Sequence, residues 1–242
     1  MTNIEQNIAA VRQRIQLSCQ KAGRNSDGVT LLAVSKTVSP DAIRAAIAAG
    51  QRDFGENYIA EGVEKISALA AETVQYGLQW HCIGSVQSNK TRMVAQHFDW
   101  VHTIDRLKIA ERLNEQRPVD AKRLQVCIQV NIDGSRSKSG IAPNEVLALA
   151  QEIVKLPRLQ LRGIMAIPDV IPNTLPSSAE NAIYNIAVKA IYTPAKAVFD
   201  QLNKLDYELD TLSIGMSADL EPAIQAGSTM VRVGSAIFGG RS

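Results

Sequence analysis

The chain has 242 residues, of which 45% are hydrophobic and 21% charged, the balance of a folded globular protein rather than a disordered or fibrous one. Its 26 Lys and Arg residues against 24 Asp and Glu leave a net charge of +2, which disfavours nucleic acid or an anionic membrane as a partner. The three cysteines form no CxxC pair and the three histidines no HExxH motif, so no metal site is predicted.

The sequence shows no pattern typical of a signal peptide or a membrane-spanning segment. The first residues, up to Gln16, lack the apolar run of a signal peptide, and no later run reaches the length of a membrane span. We therefore expect a cytoplasmic protein with reduced cysteines.

The first predicted element is a helix. Apolar residues recur at helical spacing from Ile4 to Ile15, Thr2 and Glu5 form a capping-box pattern, and Gly23 is a natural stop.

Beyond Gly23, eight strand-like runs alternate with amphipathic, helix-like segments. The strand-like runs cover residues 29–34, 51–54, 79–83, 100–104, 124–130, 159–167, 207–214 and 230–233. The helix-like segments cover residues 40–49, 58–71, 89–97, 107–116, 143–156, part of 179–205, and 218–226. Such an alternation predicts βα units and a parallel sheet.

Eight strands in a chain of this length are typical of a closed barrel. We predict an α/β protein, a (β/α)8 TIM-type barrel with an extra N-terminal helix, as one domain over residues 1–242. An open doubly wound sheet is the alternative, although no GxGxxG turn follows an early strand. Three prolines predict a long mobile loop at 168–178, after the sixth strand.

Lys36 follows the first predicted strand, at the end of a barrel where active sites are assembled. A lysine drawn into a partly apolar site becomes a Schiff-base nucleophile. The alternative is an exposed lysine in a βα loop, which is the commoner fate of this residue type.

Two loops rich in Gly and Ser follow the seventh and eighth strands. The first contains Ser213, Gly215 and Ser217, with Ser217 as the expected helix N-cap, and the second contains Gly234 and Ser235. Barrels commonly bind phosphate in these two loops, where free amides meet the positive end of a helix dipole. Ordinary helix capping is the alternative explanation.

Arg232 interrupts the apolar eighth strand and, pointing inward, needs an acceptor because it cannot lose its proton. That acceptor is either a structural carboxylate or the ring nitrogen of a heteroaromatic cofactor. Asn57, after the second strand, either binds a ligand or caps its helix. His81, next to Trp80, is expected to be a packed strand residue.

Together these segments resemble the pyridoxal phosphate homeostasis protein family, single-domain relatives of the alanine racemase N-terminal barrel. The motifs that carry the resemblance are LAVSKT at 32–37, FGENY at 54–58, WHCIG at 80–84, QSNK at 87–90, QVNI at 129–132, SKSG at 137–140, RGIMAIP at 162–168, LSIGMS at 212–217 and MVRVGSAIFG at 230–239. Residues 169–197 match the family poorly.

The resemblance implies that pyridoxal 5′-phosphate (PLP) is carried on Lys36 as a Schiff base, with Arg232 near the ring nitrogen. It places Asn57, Ile83 and Met216 near the ring. The residues that it implies for the phosphate-binding loops are Ser213, Gly215, Met216, Ser217, Gly234 and Ser235.

We predict a non-catalytic, monomeric PLP-binding protein that buffers or delivers the cofactor, with transient contact to PLP-dependent apoenzymes. The resemblance implies an effect on amino-acid and keto-acid metabolism. Racemases that resemble this barrel take an opposing tyrosine from a second domain, which we expect this chain to lack because it ends just after the eighth strand. A PLP-dependent racemase or lyase is the alternative, with Tyr58 or Lys138 as the second acid or base. A cofactor-free Schiff-base aldolase is another.

Overall fold

The computed structural model describes residues 3–135, 138–168 and 186–240. In it, eight parallel strands close into a barrel in chain order, and β1 pairs with β8 with Leu32 opposite Arg232. The strands are β1 (Thr30–Val34), β2 (Asp53–Glu56), β3 (Gln79–Cys82), β4 (Trp100–Ile104), β5 (Leu124–Gln129), β6 (Leu159–Met165), β7 (Thr211–Met216) and β8 (Met230–Val233). The closed barrel confirms the predicted fold class and rules out the open sheet.

Helices follow the strands on the outside of the barrel. They are α1 (Ile4–Lys21), α2 (Pro40–Ala48), α3 (Ile59–Ala68), α4 (Ala70–Tyr76), α5 (Thr91–His97), α6 (Leu107–Gln116), α7 (Val146–Ile153), α8 (Thr193–Asn203), α9 (Leu220–Gln225) and α10 (Ser235–Phe238). Among the described residues, no helix combines the length and the apolar character that crossing a bilayer requires.

Several predicted boundaries change in the structure. The predicted helix 58–71 is two helices, α3 and α4, that meet at Leu69. The seventh strand begins at Thr211 rather than at residue 207, because the Asn203 side chain binds both the N–H and the C=O of Leu209 and keeps that stretch in a turn. Residues 169–178 of the predicted loop and 179–185 of the predicted long helix lie outside the described residues.

The cap of α1 differs from the predicted one. The Asn3 side chain accepts a hydrogen bond from the Gln6 N–H at 3.1 Å, so Asn3 is the N-cap, and the predicted Thr2 lies outside the described residues. An Asx side chain at this position satisfies one of the free amides of the first turn. The helix ends at Lys21, two residues before Gly23.

Two packed regions position the site. The larger lies between the barrel and its helices, and alternate strand residues such as Val231 and Val233 point into it. The barrel interior receives the other residues of each strand, for example Met230 and Arg232 of β8. Side chains of β4 and β7, which are not neighbours, bond to each other there through His102 and Ser213.

The extra helix α1 braces the end of the chain. Its Arg14 side chain forms a two-point ion pair with Glu221 of α9 and donates to the Ser217 carbonyl at 3.1 Å. Asn7 donates to the Ile237 carbonyl of α10 at 2.8 Å. The loops after β7 and β8 are therefore held from outside the barrel.

Candidate functional site

A cavity of about 940 Å³ opens at the carboxyl ends of the strands, within the size range of ligand sites. The predicted site residues that line it are Lys36, Asn57, Ile83, Met216, Ser217, Arg232, Gly234 and Ser235. Its only charged lining residues in the described part of the chain are Lys36 and Arg232, so the cavity is cationic and suits an anion.

Lys36 enters the cavity from the turn after β1. It is half-buried, and its amine has no hydrogen-bond or ion-pair partner among the described residues. The next residue, Thr37, has a φ of 62°, a left-handed conformation that is strained for a β-branched residue. The surrounding contacts must therefore impose the turn.

Those contacts come from a buried ionic cluster on α3 and β2. Lys65 Nζ donates to the Ser35 carbonyl at 2.6 Å and also binds Glu61 at 2.5 Å and Glu56 at 3.0 Å. Glu61 accepts the Thr37 N–H at 2.6 Å, so the cluster holds the backbone on both sides of Lys36.

Glu56 is the fully buried member of this ionic cluster. Burial raises the pKa of its carboxyl group, whereas the hydrogen bond from Ser35 at 2.6 Å and the Lys65 ammonium lower it. The cluster was missed in the sequence because its members lie up to 30 residues apart and on different elements.

Arg232 projects from β8 into the barrel. Its Nη1 donates to the Ser213 carbonyl at 2.6 Å and to Ser213 Oγ at 2.8 Å, and its Nη2 donates to the Ala166 carbonyl at 3.0 Å. Neither predicted type of acceptor, a carboxylate or a ring nitrogen, is bound to it among the described residues. Burial lowers the pKa of Arg232, while Tyr192 and Asp219 raise it, and a guanidinium remains protonated.

Two predicted site residues do not line the cavity. Ser213 is fully buried inside the barrel, where its hydroxyl contacts Arg232 and His102. Gly215 has a φ of 92°, and a Cβ there would lie 2.4 Å from the Ala223 Cβ, so its role is to let β7 turn and pack against α9.

The loops after β7 and β8 line one side of the cavity with free backbone amides. The backbone amides of Ser217, Ala218 and Ser235, all lining residues, have no acceptor within the described ranges. Free amides of this kind form a cradle for an anion such as phosphate.

Asp219 shapes this cradle and was not predicted. It is the N-cap of α9, so the prediction of Ser217 as N-cap is wrong. Its buried carboxylate accepts the Met216 N–H at 2.6 Å and the Tyr192 hydroxyl at 2.5 Å. The Asp219 carboxylate makes no capping hydrogen bond to α9, and its partner Tyr192 lies 27 residues away, so local composition could not identify its role.

Asn57 and Ile83 complete the cavity at the ends of β2 and β3. The Asn57 Oδ1 atom is buried without a hydrogen-bond partner in the described structure, and an orphaned polar atom beside a cavity indicates a missing ligand or water. A Cβ at Gly84 would lie 2.0 Å from the Asn57 carbonyl oxygen, so only glycine lets these strand ends approach so closely.

The two weaker candidates for a second acid or base are not poised for catalysis. Tyr58 is 56% exposed and does not line the cavity. Lys138 is bound to Asp133 at 2.7 Å. No group of three or more His, Cys, Asp or Glu residues that could hold a metal exists in the described ranges.

The residues present fit PLP. The site combines an unpaired amine, a cradle of free amides, a buried guanidinium and an orphaned amide oxygen around one cationic cavity. The amine matches the aldehyde of PLP, and the free amides match its phosphate. The guanidinium and the amide oxygen match the ring with its polar substituents.

Comparison with known proteins gives the same family. The alanine racemase N-terminal domain model matches residues 4–242. The chain is 52% identical over 241 residues to the pyridoxal phosphate homeostasis protein of Vibrio cholerae serotype O1, and 50% identical over 241 residues to that of Escherichia coli K12; each alignment covers 100% of this chain and 98% of the relative.

A solved structure agrees. PipY of Synechococcus elongatus PCC7942, solved with PLP bound, is 32% identical with a TM-score of 0.78, and the match covers 98% of this chain and 100% of PipY. On these matches, the chain belongs to the pyridoxal phosphate homeostasis protein family, built on the alanine racemase N-terminal domain.

Proposed function

We propose that this protein binds PLP without turning over a substrate, and that it buffers the cofactor or delivers it to other proteins. The observation that carries the proposal is the unpaired Lys36 amine in the same cavity as the free amides of Ser217 and Ser235. The PLP-bound PipY structure and the names of the homologues support it.

Each residue has a role in holding the cofactor. Lys36 would hold PLP covalently, because the cofactor would supply an aldehyde, the group with which a lysine amine reacts. The amides and hydroxyls of Ser217 and Ser235 bind the phosphate, with Gly234 keeping the backbone open. Arg232, which lines the same cavity, would offer a remaining N–H donor to the ring nitrogen.

The lining favours retention over catalysis. Racemisation needs proton donors and acceptors on both faces of the reacting carbon. Among the described lining residues, the ionisable groups are Lys36 and Arg232, and an arginine cannot serve as a base. One lysine serves one face only.

We place the protein in the cytoplasm as a monomer that contacts PLP-dependent apoenzymes transiently. The three cysteines, Cys19, Cys82 and Cys127, are unpaired and buried, which suits a reducing compartment. Burial raises the pKa of Cys82 to about 12, so this cysteine is an inert thiol near neutral pH.

Borohydride reduction followed by peptide mass spectrometry tests the assignment. We expect one phosphopyridoxyl adduct, on Lys36, and we expect the Lys36→Ala variant to lose it together with the visible absorbance of the bound cofactor. Lys108→Ala is the matched control, because Lys108 is exposed on α6, and it should keep both signals. A main adduct that persists in Lys36→Ala protein contradicts the assignment.

The absence of turnover is tested separately. The PLP-loaded protein is incubated with single-enantiomer amino acids in deuterated water. Unchanged amino acids are expected, whereas catalytic incorporation of α-deuterium would make the protein a racemase or lyase.

A further inference from the structure

We infer that Ser213, His102, His81 and Asp53 form a one-directional hydrogen-bonded relay through the barrel interior, which orients the Arg232 guanidinium and links it to a remote counter-charge. This inference deepens the proposed function, on which it rests, because Arg232 is the residue that faces the cofactor ring. Asp53, His81 and His102 are then positioning residues at a distance from the cavity.

The path from Arg232 to Asp53 involves residues of five strands, β8, β7, β4, β3 and β2. Arg232 Nη1 lies 2.8 Å from Ser213 Oγ, which lies 3.0 Å from His102 Nδ1. His102 Nε2 is 3.0 Å from His81 Nδ1, and His81 Nε2 is 3.3 Å from Asp53 Oδ1. Arg232, Ser213, His102 and His81 are buried, which shields their hydrogen bonds from competing water.

The chemistry of the two ends sets the direction of every bond. A guanidinium only donates, so Ser213 Oγ accepts from Arg232 and its own O–H is free to donate to His102 Nδ1. A carboxylate only accepts, so His81 Nε2 carries the proton that points at Asp53. Between them, a neutral His102 donates from Nε2 to His81 Nδ1. For neutral rings, the Asp53 end therefore requires the tautomer protonated at Nε2 on both histidines, and the Ser213 hydroxyl can complete the chain by donating to His102 Nδ1.

Burial supports a neutral His102 ring in this arrangement. It lowers the pKa of His102 well below the ordinary value, and the nearby His81 and Arg232 lower it further. The His81 ring is also fixed by stacking on Trp100, with ring centres 5.1 Å apart and planes 10° apart. A neutral His102 ring beside an immobilised His81 ring suits a single direction of hydrogen bonding.

Asp53 does not line the cofactor cavity, so it acts on Arg232 through the charge of its carboxylate and not by contact with the cofactor. It begins β2, whereas Asn57 at the other end of that strand lines the cofactor cavity. Asp53 instead lines a second cavity, of about 580 Å³, at the amino-terminal end of the barrel together with Arg12 and Arg52. Arg232 has no ion pair among the described residues, and the Asp219 carboxylate acts on it without a hydrogen bond. The polarised chain links the guanidinium to a second carboxylate, that of Asp53.

Nitrogen-15 NMR of the PLP-free protein tests the relay directly. The rings of His81 and His102 are expected to be neutral and protonated at Nε2 at pH 7. A ring protonated at Nδ1, or a charged imidazolium at either position, would overturn the proposal.

Asp53→Asn tests the coupling, because an amide retains an oxygen acceptor for His81 but removes the charge. We expect the His102 and Arg232 side-chain nitrogen resonances to shift in the PLP-free variant, and PLP to bind at least about fivefold more weakly. Asp53→Glu should restore both. His97→Gln is the matched control, because His97 is exposed at the end of α5 and outside the relay.

The outcomes separate the relay from the proposed function. Unshifted Arg232 resonances or a PLP affinity within twofold of wild type in Asp53→Asn would overturn the coupling. If wild-type protein binds no PLP while both tautomers and the Arg232 shift appear as expected, the proposed function fails and the relay stands.

Discussion

At the scale of single residues, the site depends on charges that are buried and paired. Lys65 is 6% exposed and binds two carboxylates and a carbonyl behind Lys36. Removing one member of such a cluster leaves an uncompensated buried charge, which costs far more than an exposed ion pair contributes. Lys65 therefore supports both the fold and the turn that carries the reactive amine.

We predict that Lys65→Met lowers the free energy of unfolding by about 3–5 kcal/mol at pH 8 and by less at pH 5. Glu56 has a raised pKa in the folded protein, so its stabilising contribution is present below its unfolded pKa and is lost as the pH rises through the folded value. Loss of the Lys65 charge raises that pKa further. Urea unfolding at the two pH values measures the difference.

The double variant Lys65→Met/Glu56→Gln is the control for this effect. It has no carboxyl group at position 56, so its loss of stability relative to wild type should no longer increase between pH 5 and pH 8. An equal loss at both pH values in the single variant would contradict a charged Glu56 as the cause.

At the scale of elements, the cavity exists because strand ends approach one another closely and loops are held in place. Gly84 lets the end of β3 pass the Asn57 carbonyl, and Asp219 holds the turn between β7 and α9. Helix α1 reaches the same loop from outside through Arg14. These contacts give the amides of the anion cradle a fixed arrangement before any ligand binds.

Gly84→Ala is expected to lower the free energy of unfolding by about 1–3 kcal/mol, because the added Cβ overlaps backbone that cannot move away cheaply. Gly28→Ala is the matched control, since a Cβ there meets nothing within 4 Å, and it should change stability by less than about 0.5 kcal/mol. Thermal or urea unfolding of both variants measures the contrast. Equal effects at the two positions would show that the close approach does not constrain the fold.

At the scale of the molecule, the closed barrel brings residues from both ends of the chain into one cavity. β1 pairs with β8, so Lys36 and Arg232 line the same cavity although 196 positions separate their numbers, 36 and 232. A ligand that bridges these two ends binds only the folded barrel and must therefore stabilise it.

We predict that PLP at 100 times its Kd stabilises the protein by about 2.7 kcal/mol, which corresponds to a rise in Tm of about 5–10 °C for a chain of this size. Lys36→Ala should reduce this rise to below about 2 °C at the same PLP concentration, whereas Lys108→Ala should retain it. Scanning calorimetry with and without PLP gives the result. A Lys36→Ala variant that keeps the full rise would argue against covalent binding at this lysine.

The sequence by itself determined the order of strands and helices, the barrel, and the positions of Lys36, Arg232 and the Gly/Ser loops. The element order follows from local signals, because hydrophobic periodicity and strand ends are encoded in neighbouring residues. The site positions follow because a parallel barrel brings the carboxyl ends of all its strands to one face. The sequence did not predict details that depend on single side-chain hydrogen bonds. Examples are the bond from the Met216 N–H to Asp219 and the bond from the Leu209 N–H to Asn203, which precedes the late start of β7.

Only the tertiary structure decided which polar groups meet. His81 was expected to be a packed strand residue; it is fully buried, and its two ring nitrogens lie within hydrogen-bonding distance of His102 and Asp53. His102 and Ser213, which lie 111 residues apart, are joined only by closure of the barrel. No local pattern reports such a pair, because the partner of a buried polar group is selected by the packing of distant strands and not by its neighbours in the chain.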